Sequence, residues 1–293
     1  MAKVVLYNMD CLEAMGRIAD DSVDCVLTSP PYVTSTHTSE AKPHTLTDVK
    51  SKGYPWLRYD VFNDTMSNED FADWQSRIFR ELDRILKPNG CVIYNISYSA
   101  GNTTCWIDAV YQIIHNSPFT MADKIVWKKK CALPNNHSPS QLTRICEDIF
   151  VFCRAKERTT FHCNKRVVSV TAHGQNNYEN VMNFVEAGNN DGANDLNKAT
   201  FSTELAHRLL RFYCRSPKDG GTTVFDPFMG TGTTASAARD LGLDCIGAEL
   251  SAAQCEYAYK RLGGGGMDFF TDVEIIKPDS TGDGNMEVIE NEQ

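Results

Sequence analysis

The segment Ser29-Pro30-Pro31-Tyr32 carries residue types that could do chemistry, and it follows an apolar run at 23–27. Two prolines fix the backbone and remove two amide donors, so the Pro30 carbonyl can be held pointing into a cleft. Ser29 adds an acceptor oxygen and Tyr32 adds a flat ring. This set suits a planar substrate with an amino group, because the ring stacks on it and two oxygens accept its N–H bonds. A rigid turn with a packed tyrosine explains the segment equally well.

A second segment, Asp226-Pro227-Phe228-Met229-Gly230-Thr231-Gly232-Thr233, lies between a predicted strand and a predicted helix. Glycines let the backbone approach a ligand closely, and a helix N-terminus favours anionic groups. Glu249 ends the next predicted strand, 23 residues after Asp226, where a carboxylate is placed to bind two ribose hydroxyls. The spacing is neither that of a dinucleotide site nor that of a P-loop, since no lysine follows.

The elements that position these segments alternate along the chain, which favours an α/β sheet with helices on both faces. Residues 33–65 show no sustained period and predict a long loop. Ser67 is the predicted N-cap of the helix that follows. The predicted strands are 3–7, 23–27, 91–96, 124–127, 148–153, 223–225 and 244–248, and the predicted helices are 11–17, 68–86, 106–115, 203–213, 233–241 and 252–262.

The net charge of −9 argues at first against a nucleic-acid partner. However, the tail from residue 263 holds eight acidic residues against one lysine, whereas residues 122–166 hold ten basic residues against four acidic ones. A basic block inside an acidic protein reopens the question of nucleic-acid binding, although a solvated basic face explains it as well.

Composition also indicates the cellular compartment and argues against a metal site. The chain has no apolar run of about 18 residues and reaches Asp10 too early for a secretory signal, so we expect a cytoplasmic protein and no membrane partner. Its 11 cysteines form no C-x-x-C pair and show no zinc-ligand spacing with histidine. They predict free thiols in a reducing compartment and no metal site.

Together, Thr28-Ser-Pro-Pro-Tyr32 and Asp226-Pro-Phe-Met-Gly-Thr-Gly-Thr-Thr234 resemble the motifs of DNA amino-methyltransferases that use S-adenosylmethionine. The catalytic motif comes first and the cofactor motif last, with an insert between them, an order similar to the circularly permuted beta class. The resemblance covers about residues 4–262. It implies a Rossmann-like methyltransferase fold with a mostly parallel sheet and helices on both faces. Its parts would be a catalytic domain at 1–262, a target-recognition insert at 155–198 and an acidic, flexible tail at 263–293.

The resemblance implies residue roles as well. Ser29, Pro30, Pro31 and Tyr32 would be catalytic. Asp10 would bind the adenine amine and Glu249 the ribose of the cofactor. The full set implied around S-adenosylmethionine is Asp10, Cys11, Phe201, Asp226, Pro227, Phe228, Gly230, Gly232, Thr233 and Glu249. The family's His-Pro and Lys-Pro elements are missing near Phe201, so the roles of residues 200–202 stay open. Basic residues that would contact DNA phosphates are Lys128, Lys129, Lys130, Arg144, Arg154, Lys156, Arg158, Lys165 and Arg166.

The implied reaction is methyl transfer to an exocyclic amine of a base flipped out of double-stranded DNA. Such an amine is a poor nucleophile because its lone pair is conjugated into the ring. Hydrogen bonds to Ser29 Oγ and the Pro30 carbonyl would favour a pyramidal nitrogen. No cysteine nucleophile is needed, and the Pro-Cys pair typical of cytosine C5 methylation does not occur.

Ser29 at the first motif position resembles enzymes that act on cytosine N4, whereas aspartate there is more typical of adenine N6. We favour cytosine N4 and keep adenine N6 as the alternative. An RNA methyltransferase also fits the basic block. A protein amino-methyltransferase fits less well, because glutamine-methylating relatives place the cofactor motif first. Members of the beta class are often dimers, so the resemblance is compatible with a homodimer. The sequence does not identify a restriction endonuclease partner.

Overall fold

The computed structural model describes residues 2–33, 66–98, 102–132, 139–191, 196, 200–216, 222–264 and 271–278. Its helices are α1 (Cys11–Gly16), α2 (Asn68–Ile85), α3 (Cys105–Asn116), α4 (Thr203–Tyr213), α5 (Thr233–Asp240) and α6 (Ala252–Arg261). Its strands are β1 (Ala2–Tyr7), β2 (Val23–Thr28), β3 (Leu86–Ile96), β4 (Phe119–Lys129), β5 (Cys146–Arg154), β6 (Val167–Val170), β7 (Asn176–Tyr178), β8 (Phe184–Ala187), β9 (Thr223–Asp226), β10 (Asp244–Ala248) and β11 (Thr271–Ile276).

Nine of these strands form one sheet in the order β11-β1-β10-β9-β2-β3-β5-β4-β8. Only β5 runs antiparallel to its neighbours β3 and β4; the other pairs are parallel. Strands β6 and β7 form a separate antiparallel pair. The predicted fold class, a mostly parallel sheet of the Rossmann-like methyltransferase type, is confirmed. The circular permutation stays a prediction.

Alternating side chains of the sheet pack against helices on its two faces. In β3, Cys91 and Ile93 belong to the core beneath α4, α5 and α6, whereas Val92 and Tyr94 belong to the core beneath α1, α2 and α3. Since both faces are covered, the strands are apolar on both sides, which explains the continuous apolar runs in the sequence.

The chain changes direction between β2 and β9, two neighbours from opposite ends of the sequence. From β9 it continues through α5 to β10 on one side, and after β2 it returns as β3 on the other. The paired register between β2 and β9 holds only Cys25 with Val224 and Val26 with Phe225. Beyond these pairs the carboxyl ends separate, which is where parallel α/β sheets form a ligand crevice.

The structure corrects the prediction of a flexible tail at 263–293. Thr271–Ile276 is β11, an edge strand parallel to β1, and its Val273 and Ile275 side chains are buried. Acidic and apolar residues alternate in this strand, so the acidic side chains lie on one face and the apolar ones on the other. A count of charges does not reveal this alternation, and the strand was therefore not predicted. Residues 265–270 and 279–293 lie outside the described residues.

The predicted insert at 155–198 is only partly separate from the sheet. Its β6 and β7 are exposed, but β8 joins β4 in the main sheet, with Val185 and Ala187 buried. Apart from these differences, the predicted elements hold with shifted ends, and Ser67 caps α2 through its side chain. The predicted loop at 33–65 lies outside the described residues except for Val33.

Candidate active site

An open pocket lies at the carboxyl ends of β1, β2, β9 and β10, with about 890 Å³ of empty space that includes its mouth. It brings together 12 of the 14 residues predicted for catalysis and cofactor binding; Tyr32 and Gly232 do not line it. The lining residues are Met9, Asp10, Cys11, Ser29, Pro30, Pro31, Trp74, Thr200, Phe201, Asp226, Pro227, Phe228, Met229, Gly230, Thr233, Thr234, Ala248, Glu249, Leu250 and Gln254.

Asp226 is a buried carboxylate, 2% exposed, that organises the turn after β9. Its Oδ1 accepts hydrogen bonds from Thr28 Oγ1 at 2.7 Å and from the Phe228 N–H at 3.0 Å, and its Oδ2 accepts from Thr234 Oγ1 at 2.6 Å. Burial raises the pKa of Asp226 to about 6, although these three donors act in the opposite direction. The carboxylate therefore ties the cofactor turn to the last residue of β2.

Glu249 is fixed by two backbone amides rather than by a basic side chain. Its Oε2 accepts from the Gly230 N–H at 2.8 Å and its Oε1 from the Ser251 N–H at 2.7 Å. Gly230 has a φ of 56°, a left-handed conformation that favours glycine. The two amides orient the carboxylate towards the pocket, and a carboxylate, which only accepts hydrogen bonds, is the group that suits a diol.

Gly232 does not line the pocket; it allows α5 and α6 to pack closely. It is the N-cap of α5 with a φ of 83°, and an added Cβ would lie 2.9 Å from the Cβ of Ala258 on α6. The second glycine of the motif is therefore required because two helices approach closely there.

Asp10 and Cys11 line the pocket at the end of β1. The Asp10 side chain caps α1 by accepting from the Leu12 N–H at 2.9 Å, and it is exposed. Burial raises the pKa of the Cys11 thiol far above its usual value, so this cysteine is a neutral wall and not a thiolate. The Asn8 amide donates to the Glu249 carbonyl at 2.9 Å and holds the ends of β1 and β10 together.

Behind the catalytic segment, Ser29 Oγ donates to the Tyr32 hydroxyl at 3.3 Å, and this hydroxyl donates to the Asn95 carbonyl at 3.5 Å. The Asn95 amide donates to the Tyr32 hydroxyl at 3.4 Å and to Glu147 Oε2 at 3.3 Å. Glu147 also pairs with Lys129. Asn95 and Glu147 could not be recognised from the sequence, because they come from β3 and β5, which only the sheet brings beside Tyr32.

Trp74 is a pocket residue that the sequence analysis did not assign to the site. It lies on α2 and packs edge-to-face on Phe228, with ring centroids 5.3 Å apart. The helical spacing of Phe71, Trp74 and Ile78 predicts a shared apolar face but cannot show that this face reaches the cofactor turn. The sequence also did not indicate the pocket residues Met9, Met229, Thr234, Ala248, Leu250 and Gln254.

The predicted DNA-contacting residues divide into three groups. Lys156, Arg158 and Lys165 are exposed and form no ion pair within the described part of the chain. Others are exposed or half-buried and already paired: Lys128 with Glu186, Lys129 with Glu147, Lys130 with Glu204, Arg166 with Glu179, and Arg144 stacked on Tyr98. Much of the positive charge in 122–166 is therefore neutralised locally.

Arg154 forms the third group and corrects the prediction. It is 7% exposed. Its guanidinium binds the carboxylates of Asp83 and Glu157 and the carbonyls of Asp83, Leu86 and Lys87 at the end of α2. Because the last carbonyls of a helix need donors, Arg154 acts as a C-terminal cap and not as a phosphate contact.

No helix in the described ranges is long and apolar enough to cross a membrane. Among the same residues, no cluster of three or more histidine, cysteine or acidic side chains is arranged to hold a metal ion.

Comparisons with known proteins agree with this geometry. A family model described as DNA methylase, of the N6/N4 type, matches residues 23–260. The type II methyltransferase M.BglII from Bacillus subtilis is 23% identical over 88% of this chain and 69% of its own length. M.HinfI from Haemophilus influenzae is 26% identical over 86% of this chain and 66% of its length, just under two thirds.

Solved structures share the fold. The cytosine-N4-specific PvuII DNA methyltransferase superposes with a TM-score of 0.63 at 16% identity, covering 88% of this chain and 87% of its own. M1.HpyAVI in complex with S-adenosylmethionine gives a TM-score of 0.53 at 18% identity, covering 88% of this chain and 98% of its own.

Proposed function

Because the chain belongs to the N6/N4 DNA methylase family and is an S-adenosylmethionine-dependent DNA methyltransferase, we propose that it methylates the N4 amine of a cytosine flipped out of double-stranded DNA. One observation carries this proposal. Ser29, Pro30 and Pro31 lie on the wall of the same pocket as Asp226, Gly230 and Glu249.

The pocket suits S-adenosylmethionine by the chemistry of its donors and acceptors. Glu249, which its two backbone amides orient, would accept from the ribose hydroxyls, and the exposed Asp10 carboxylate would accept from the adenine amine. Phe228 and Trp74 give an aromatic wall that suits a sulfonium cation or a flat ring. The N-terminus of α5, with Thr233 at the pocket, suits the carboxylate end. When bound, the cofactor supplies an electrophilic methyl group.

Ser29 and Pro30 supply acceptors for the amino group of the target base. Hydrogen bonds to Ser29 Oγ and the Pro30 carbonyl orient the amine and favour a pyramidal nitrogen with its lone pair aimed at the methyl donor. Positioning and electrostatics then supply most of the rate, without a covalent intermediate on the protein. The buried cysteines are consistent with this, since burial raises the pKa of Cys105 and Cys255 to about 12.

Serine at the first position of the motif supports cytosine N4, because a small uncharged side chain there is the pattern of N4 enzymes. Adenine N6 is the alternative. On the DNA side, we propose Lys156, Arg158 and Lys165 as phosphate contacts, since they are predicted basic residues that are exposed and, within the described ranges, neither form an ion pair nor stack on a ring as Arg144 does.

The test is transfer of labelled methyl from S-adenosylmethionine to unmethylated duplex DNA, with matched RNA and protein substrates in parallel. We expect label in DNA that depends on base sequence. Label in RNA or protein alone would overturn the proposed substrate, and absence of transfer by protein that binds the cofactor would overturn the proposed activity.

A further inference from the structure

The hydrogen bonds behind the catalytic segment have a defined direction. The Tyr32 hydroxyl donates to the Asn95 carbonyl at 3.5 Å. It accepts from the Asn95 amide at 3.4 Å and from Ser29 Oγ at 3.3 Å. Since a serine hydroxyl has one hydrogen, the Ser29 proton is committed towards Tyr32 and its lone pairs are available on the other side.

Glu147 orients the side-chain amide of Asn95, which donates to the Tyr32 hydroxyl. The Asn95 amide nitrogen lies 3.3 Å from Glu147 Oε2, and a flipped amide would place its oxygen against the carboxylate, which is repulsive. Asn95 is 3% exposed, and its Oδ1 has no partner within the described residues. A buried acceptor left in that state costs free energy, so the amide at this position is not explained by stability.

Lys129 anchors the carboxylate. Its ammonium pairs with Glu147 and lies 5.0 Å from the centroid of the Trp127 ring. Trp127 is itself buried and donates to the Ala187 carbonyl at 3.3 Å. The carboxylate is therefore held through Oε1 by Lys129, a predicted DNA contact, while its Oε2 accepts from Asn95.

We propose that Lys129, Glu147 and Asn95 are positioning residues that keep Ser29 an acceptor towards the target base. An acceptor at this point binds the N–H of an amino group and meets the lone pairs of a keto group unfavourably. These hydrogen bonds thus determine selectivity for amino-bearing bases over keto bases. This inference rests on the proposed function and assigns Lys129 and Glu147 to it.

The first test replaces Glu147 by methionine, which removes the acceptor, and by glutamine, which retains one. Glu186, the partner of Lys128 on the neighbouring strand, gives the matched control in Glu186→Met. We expect Glu147→Met to lower kcat about tenfold or more, with the Kd for S-adenosylmethionine unchanged, and Glu147→Gln to recover most of it. If Glu147→Met folds and keeps kcat within twofold of the wild type, the proposal is wrong.

Lys129→Met against Lys124→Met, whose partner Asp148 also lies on β5, repeats the comparison in case Glu147→Met does not fold. Only Lys129→Met should lower kcat; equal effects of the two substitutions would contradict the proposal.

A second measurement is independent of activity and so separates this inference from the proposed function. Protein labelled with fluorotyrosine shows a Tyr32 resonance, assigned by its loss in Tyr32→Phe. We expect Glu147→Met and Lys129→Met to shift this resonance, and Glu186→Met and Lys124→Met to leave it in place. If the Tyr32 resonance does not shift in the first pair, the proposed hydrogen-bond connection from Lys129 to Ser29 is wrong, even if the enzyme is active. A shifted resonance would support that connection even if DNA is not the substrate.

Discussion

Thr28 Oγ1 donates a hydrogen bond of 2.7 Å to Oδ1 of Asp226. The two residues are 198 positions apart, and the first immediately precedes Ser29 while the second begins the glycine-containing turn. The backbone pairing of β2 with β9 has ended two residues earlier, at Val26. This side-chain bond therefore spans the crevice where the strands separate, and it joins the catalytic segment to the cofactor turn.

Replacing Thr28 by valine should destabilise the protein, because one of the donors to a buried carboxylate is lost. We expect a loss of about 1–3 kcal/mol in the free energy of unfolding at neutral pH, and a smaller loss for Thr28→Ser, which keeps the hydroxyl. Urea unfolding of the two variants measures this. Equal stability of Thr28→Val and Thr28→Ser would show that the bond contributes nothing.

The titration of Asp226 predicts a pH dependence of stability. Burial raises its pKa to about 6, whereas an unfolded aspartate has a pKa of about 3.9. Between these values the folded protein binds more protons at this site, so the free energy of unfolding falls as pH rises through the window.

Asp226→Asn removes that titration. The stability of Asp226→Asn relative to the wild type should therefore rise between about pH 4 and about pH 7, by roughly 3 kcal/mol in total. Urea unfolding at several pH values across this range provides the measurement. Parallel curves for the two proteins would mean that Asp226 titrates normally.

Glu249→Gln should weaken cofactor binding. Two backbone N–H groups point at the carboxylate oxygens, and an amide offers an acceptor to only one of them. We expect the Kd for S-adenosylmethionine to rise roughly 10-fold or more, as for loss of a hydrogen bond to a charged group, measured by calorimetry. Glu256→Gln, on the exposed face of α6, is the control and should bind as the wild type does. A similar Kd for both variants would show that Glu249 does not bind the cofactor.

Arg154 and Lys165 separate stability from DNA binding. Arg154→Met leaves Glu157 buried without its guanidinium and should cost about 3–5 kcal/mol of stability. Lys165→Met should leave stability unchanged but lower the slope of log affinity for DNA against log salt by about 1. Unfolding and DNA-binding titrations on both variants give the comparison, and the opposite pattern would restore Arg154 to the DNA interface.

Short motifs in the sequence were enough to predict the pocket. Contacts that depend on strand pairing could not be predicted in this way. Prolines, glycines and a strand-end glutamate act within a few residues of their own position, so Ser29–Tyr32 and Asp226–Thr233 were recognisable. The role of Arg154 depends instead on the pairing of β5 with β3, which places the guanidinium under the end of α2.

Charge counting failed where pairing across strands matters. Lys128 and Lys129 look equivalent in the sequence, yet neighbouring residues of a strand point to opposite faces, and their partners, Glu186 and Glu147, come from β8 and β5. The acidic composition of the tail likewise masked the edge strand β11, because the burial of Val273 and Ile275 is indicated only by their alternation with acidic residues.

The proposed reaction in the pocket is methyl transfer to the N4 amine of cytosine. The most direct measurement is mass analysis of nucleosides from duplex DNA incubated with the protein and labelled S-adenosylmethionine, beside Ser29→Ala. We predict labelled N4-methylcytosine with the wild type, and a strongly reduced amount with Ser29→Ala although it still binds the cofactor. Labelled N6-methyladenine, or undiminished transfer by Ser29→Ala, would contradict the account.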